Sequence, residues 1–273
     1  MIAKSEKELA FLQDLYVATD WGERFTELVD EHVELPPEGR VLYVAAGTGG
    51  HAMALQERTN EKVKLLCVDE SDECLELARA KAVALHEQTE FHREDVNALS
   101  FPNDQFELVL GDASLTPAAN LEQMLAEMVR VAMPGATVAW WLPTASSFGE
   151  FFSIYWEALL SAGLEDHSTD VENLIEELPT VGDAEVWAAR EGLEDVRSWT
   201  AIEEFDYDSA ERFLNSPLIT DFLLRNWLQH VPEAARGRVV QELGRIIDEE
   251  RHSGKFALSV KATLVVGRKS RVQ

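Results

Sequence analysis

The residues with the clearest chemical potential lie in VLYVAAGTGGHA, residues 41–52. An apolar run of strand type, Val41 to Ala45, leads into Ala46-Gly47-Thr48-Gly49-Gly50, and a helical pattern follows. Glycines at such a turn let the backbone approach a ligand without an intervening Cβ, and the first turn of the helix offers amides without partners. Gly47 and Gly49 are the expected points of closest approach. A second apolar run, LLCVDES, ends in Asp69. A carboxylate there can accept both hydroxyl hydrogens of a ribose; alternatively it reinforces Ser71 at the start of the next helix. The pattern Gly47-x-Gly49-x-x-Ala52, with Asp69 at the expected distance, also fits a dinucleotide site, which keeps an NAD(P)-dependent oxidoreductase open.

The elements around these residues follow from hydrophobic periodicity. Residues 4–34 read as helical around a break at Asp20-Trp21-Gly22, and Pro36-Pro37-Glu38-Gly39 stops them. Short apolar runs at 41–45, 63–68, 89–92, 106–110 and 137–142 alternate with helical patterns, the sign of a parallel sheet covered by helices. Ser71-Asp72-Glu73 starts one helix, and Pro134-Gly135 marks the turn into the fifth strand. After Pro143 the pattern turns helical at 147–161, 171–178, 183–190, 209–230 and 233–251, with Asp208 and Glu211 as a capping pair. A strand is expected within 196–205, and the alternation from Phe256 to Val266 gives a last one. The fold class is thus α/β, Rossmann-like: a mostly parallel sheet with helices on both faces and a helical insertion before the final strands. One continuous domain is expected, made of a core at 1–143, a helical acceptor or cap region at 144–255 and a closing strand with tail at 256–273.

Composition narrows the function classes. Fifty acidic against 24 basic residues leave a formal charge of −26, a field that repels phosphate backbones and anionic surfaces. Nucleic acid is not an expected partner. No apolar run has the length of a membrane span, and the first residues lack the apolar core of a secretory signal, so a cytoplasmic protein without membrane insertion is expected. Cys67 and Cys74 read as packing residues, and the scattered histidines give no metal motif.

The succession VLYVAAGTGG, LLCVDES, EFHREDVNALSFPNDQFELVLGDASL and EMVRVAMPGATVAWWLP resembles the motifs of class I S-adenosylmethionine-dependent methyltransferases, in the branch near quinone and small-molecule methyltransferases. FALSVKATLVVGRK is similar to that family's closing strand, which implies an antiparallel last strand. The resemblance implies S-adenosyl-L-methionine as cofactor. Ala45, Gly47, Thr48 and Gly49 would approach its methionine and ribose portion, and Asp69 with Glu70 would hold the ribose hydroxyls. Asp95 would accept the adenine amino hydrogens and Val96 would offer a backbone amide, with Asp112 beside the cofactor. The chain departs from the family where Tyr43 replaces an acid and Ala45 a glycine. That departure motivates an alternative of another class, a methyltransferase-like binding or scaffolding protein without catalysis.

A methyl group on a sulfonium is already activated, so the protein mainly aligns an acceptor and excludes water. If the acceptor must lose a proton, Asp112, Glu150 and His51 are the candidate bases. The stripe SSFGEFFSIYWEALL reads as core packing or as an acceptor wall, giving Phe148, Phe152 and Tyr155, with Tyr16 from the N-terminal side, as substrate-pocket candidates. The expected acceptor is a small, partly apolar or aromatic molecule, and a homo-oligomer is compatible with the sequence.

Overall fold

The computed structural model describes residues 4–59, 61–86, 89–250 and 254–271. The chain divides into two compact units, the first made of residues 1–142, 181–200 and 262–273, the second of 143–180 and 201–261.

The first unit carries β1 (Gly39–Val44), β2 (Val63–Asp69), β3 (Glu90–Arg93), β4 (Phe106–Asp112) and β5 (Ala132–Pro143, whose last residue opens the second unit). Among the described residues the sheet has seven strands in the order β3-β2-β1-β4-β5-β7-β6, with β6 at Leu193–Tyr207 and β7 at Phe256–Lys269, each running in sequence from one unit into the other. It is mostly parallel with one antiparallel strand, as expected. Leu42, Val44, Val68, Val109 and Val138 are fully or almost fully buried, which explains why the strands read as near-continuous apolar runs rather than alternations. Residues Tyr43, Cys67 and Leu110 stand side by side in β1, β2 and β4. The register brings Ala45, Asp69 and Asp112 to the same C-terminal edge, where open α/β sheets bind ligands.

Helices α3 (Gly50–Glu57), α4 (Asp72–Leu85), α5 (Leu121–Val131) and α8 (Val181–Arg190) belong to this unit. Ser71 caps α4 by accepting the Cys74 amide, as its sequence position implies. Leu121, Met124, Leu125 and Met128 of α5 are buried in one cluster with Val109, Val138 and Trp140. Two local expectations are corrected. Pro134 and Gly135 lie inside β5: Met133 to Ala136 stand opposite the single residue Glu107, so these residues form a bulge rather than a turn before the strand. The N-terminal stretch is not broken at Asp20-Trp21-Gly22 either. A π-helical segment, Gln13–Gly22, joins α1 (Glu6–Leu12) to α2 (Glu23–His32).

The second unit contains α6 (Gly149–Ser161), α7 (Ser168–Glu177), α9 (Ala210–Leu214), α10 (Leu224–Trp227) and α11 (Glu233–Glu250). The stretch 209–230 is not one helix. Pro217 lacks an amide hydrogen, and a π-helical segment, Leu218–Leu223, separates α9 from α10. Ser209, not the Asp208–Glu211 pair, caps α9 by accepting the Arg212 amide. Arg251, expected at the end of the last helix, lies outside the described residues.

Candidate cofactor and acceptor site

The loop between β1 and α3 is held from both sides. The Gly47 amide donates to Oδ2 of Asp69 at 2.8 Å, and the Ser71 amide donates to Oδ1 at 2.9 Å. Thr48 is buried, and its hydroxyl donates to Oδ1 of Asp14 at 2.6 Å; Lys81 reaches the same oxygen at 2.5 Å. These bonds fasten the π-helical segment to the loop. Gly49, with φ +76°, has no room for a side chain: a Cβ would come within 2.7 Å of the Phe91 ring. Ala45 adopts φ +56°, a left-handed conformation that costs an L-residue about 1–2 kcal/mol.

Two cavities adjoin this loop. The smaller, about 200 Å³, is lined by Asp69, Glu70, Val96 and Pro117 among others. The larger, about 560 Å³, is lined by Trp21, Thr26, Asp30, Tyr43, Gly47, His51 and Lys81 among others. Gln13, Ala45, Asp112, Ser114 and Leu115 line both, which places them where one chamber meets the other. A further cavity, bordered by Arg40, Lys64 and Glu90, sits at the opposite, N-terminal ends of the strands.

The charges at the junction are unusual. Asp112 is half-buried, and loss of water raises its carboxyl above the ordinary range, although the Ser114 hydroxyl and amide bond to it, the amide at 2.9 Å. Asp69 is raised for the same first reason, with the Ser71 and Gly47 amides acting in the opposite direction. Among the described residues neither carboxylate has a lysine or arginine partner. A cation or a set of hydroxyl hydrogens would answer this pair. Beside them, the Tyr43 hydroxyl lies 3.0 Å from Nδ1 of His51, and Nε2 of His51 lies 3.3 Å from Oδ1 of Asp30. Burial, together with the charge of Asp112, pushes the Tyr43 phenol well up, so it stays protonated. His51 and Arg58 both hold Asp30 below its ordinary value.

The residues singled out in the sequence divide by position. Ala45, Gly47, Thr48, Gly49 and His51 line the larger cavity, Ala45, Asp69, Glu70 and Val96 the smaller, and Asp112 both. Asp95 is exposed, lines neither cavity and accepts the Asn97 amide at 2.9 Å, so it shapes its own loop. The Val96 amide points at Oε1 of Glu70, 3.4 Å away.

Other candidates are corrected by their surroundings. Glu150 accepts the Ser259 hydroxyl at 2.7 Å within the second unit, which makes it a tie between helix and strand. Phe148, Phe152 and Tyr155 are buried in that unit's own core around Trp227; the Tyr155 hydroxyl donates to the Trp227 carbonyl at 3.0 Å. They are packing residues. Tyr16 is 55 % exposed and lines neither cavity. The wider π turn puts Gln13, Val17 and Trp21 on the inner face, four residues apart, and turns Tyr16 outward.

Sequence reasoning missed Gln13, Asp14, Asp30 and Ser114. The first two lie on a π turn that a helical period of 3.6 misdirects. Asp30 had an indirect signal in the pairing of Tyr43 with a first-turn histidine.

The fold and this edge of the sheet define a Rossmann-like methyltransferase architecture. Residues 41–135 match the family described as "Methyltransferase domain". The chain is 35 % identical over 124 residues to the demethylmenaquinone methyltransferase of Deinococcus radiodurans, a match covering 44 % of this chain and 51 % of that protein. The chain therefore spans about half the length of this curated relative. The YcgJ protein of Bacillus subtilis superposes with a TM-score of 0.60 at 17 % identity, covering 91 % of this chain and 99 % of that one. The [4+2]-cyclase SpnF superposes with a TM-score of 0.55 at 14 % identity, covering 99 % and 98 %. Both likenesses are of fold.

Proposed function

We propose that the chain binds S-adenosyl-L-methionine across the two cavities and transfers its methyl group to a small, uncharged aromatic acceptor of the hydroquinone type. The observation that carries this reading is the shared wall of Gln13, Ala45, Asp112, Ser114 and Leu115, which joins a chamber holding Asp69 to a roomier one holding Trp21 and Tyr43.

The residues present fit the cofactor. Gly47 and Gly49 form a cradle that a Cβ at either position would fill, against Gln13 and Phe91 respectively. Asp69 would accept the ribose hydroxyls, and Asp112, a half-buried carboxylate without a lysine or arginine partner among the described residues, suits the cationic end. When bound, the cofactor supplies an electrophilic methyl group on sulfonium. The chain's part is to align and to exclude water. Trp21, anchored by its indole donating to the Ser114 hydroxyl at 3.1 Å, walls the larger cavity on the N-terminal side. Glu23, Glu27, Asp30 and Asp112 along that wall disfavour anionic acceptors. The aromatic, quinone-like choice draws support from the Deinococcus relative's name.

The test is transfer of label from methyl-labelled S-adenosylmethionine to a panel holding 1,4-naphthohydroquinone, catechol and their carboxylated analogues. Labelling of the uncharged members is expected. Labelling confined to the carboxylated ones would overturn the acceptor assignment.

A further inference from the structure

We infer that Tyr43, fixed as a hydrogen-bond acceptor by His51 and Asp30, receives the ammonium of the cofactor's amino-acid tail together with Asp112. This rests on the cofactor reading above and deepens it at the position where the chain departs from its family.

The orientation of the chain of bonds is set from its outer end. Asp30 is ionised and also pairs with Arg58, so it accepts a proton from Nε2 of His51 at 3.3 Å. In the neutral imidazole this leaves Nδ1 as an acceptor, and the Tyr43 hydroxyl, 3.0 Å away, then donates to it. With its one hydrogen committed, the phenol oxygen offers the cavity lone pairs only. The edge-on contacts of the Tyr43 ring with Trp141 and His51 hold it in place.

What would sit against such an acceptor must carry N–H or O–H donors, and the surrounding charge selects a cation. Asp30 and Asp112 both act on Tyr43, and the buried thiol of Cys67 lies near it. Asp14, Glu23 and Glu27 border the same cavity. Lys81, the cavity's lysine, is already held by Asp14. A sulfonium has no hydrogen to donate, whereas an ammonium has three. The family's acid beside the glycine loop is thus replaced by a neutral acceptor, with the carboxylate moved outward to Asp30 and acting through His51.

Calorimetry separates this from a structural role by comparing S-adenosylhomocysteine with 5′-methylthioadenosine, which lacks the amino-acid end. Tyr43→Phe keeps the ring and removes the acceptor; it should weaken S-adenosylhomocysteine by roughly ten- to a hundredfold, the effect of losing one hydrogen bond to a charged group. Methylthioadenosine should bind the variant within about twofold of wild type, a ratio smaller than the scatter of single contacts. His51→Phe, which frees the Tyr43 hydroxyl, should lower the first affinity in the same selective manner. Equal losses for both ligands, or no loss for S-adenosylhomocysteine, would overturn the inference while leaving the cofactor reading intact. Wild-type protein that binds neither ligand would sink the cofactor reading itself.

Discussion

The Gly47 amide and the Asp69 carboxylate, 22 residues apart, meet at 2.8 Å, so the side chain that faces the smaller cavity also sets the shape of the glycine loop. One residue thereby couples folding of the loop to recognition. Asp69→Ala should lower unfolding free energy by about 1–3 kcal/mol, since two amides lose their acceptor. The same variant should bind S-adenosylhomocysteine at least about tenfold more weakly, as a bond to a charged group is lost. Denaturant titration and calorimetry on one preparation check both.

Ala45 tests backbone strain. Its φ of +56° is one that glycine adopts freely, so Ala45→Gly should stabilise the protein by about 1 kcal/mol. A rise in Tm of roughly 2–4 °C is expected for a chain of this size. A fall in Tm on thermal unfolding would show that the methyl group contributes more through packing than it costs in conformation.

Gly47 and Gly49 should part company. An added Cβ at Gly49 meets the Phe91 ring at 2.7 Å and Ala78 at 3.1 Å, both within the packed core, so Gly49→Ala should destabilise by roughly 1–3 kcal/mol from overpacking alone. At Gly47 the obstacle is the flexible amide end of Gln13, which can move aside. Gly47→Ala should therefore cost less stability but block the chamber, visible as lost ligand affinity with a smaller shift in Tm.

The pH dependence follows from Asp112. Its folded carboxyl is raised above the ordinary value of 3.8, so the native state binds the proton more tightly than the unfolded chain does. The stability it contributes is complete below about pH 4 and is lost as pH rises through the raised value. Asp112→Asn should remove that loss, so the variant gains on wild type as pH climbs from about 4 toward neutrality in paired thermal melts. An ammonium-bearing ligand favours the ionised form, so binding of S-adenosylhomocysteine should tighten with rising pH and release a proton, an effect reduced in the variant to what Asp69 contributes.

The sheet, the glycine loop and the position of Asp69 were legible because each rests on local pattern: apolar runs buried on both faces, glycines at a strand-to-helix turn, and a carboxylate at the next strand's end. Residues 13–22 were not, because a π turn shifts which side chains face inward without changing the residue types. The aromatic stripe from Phe148 to Tyr155 misled for the opposite reason. Its helical spacing was read correctly, but spacing does not say whether a buried face meets a ligand or Trp227. Asp95 shows the same limit, since a loop carboxylate serves its neighbour's amide as readily as an adenine.

Calorimetric titration of the wild-type chain with S-adenosylhomocysteine, run beside NAD, tests the central claim most directly. One saturable site for S-adenosylhomocysteine, abolished or strongly weakened by Asp69→Ala and accompanied by little or no heat from NAD, is the predicted result. Absence of binding at high ligand concentration, or tighter binding of NAD, would contradict it.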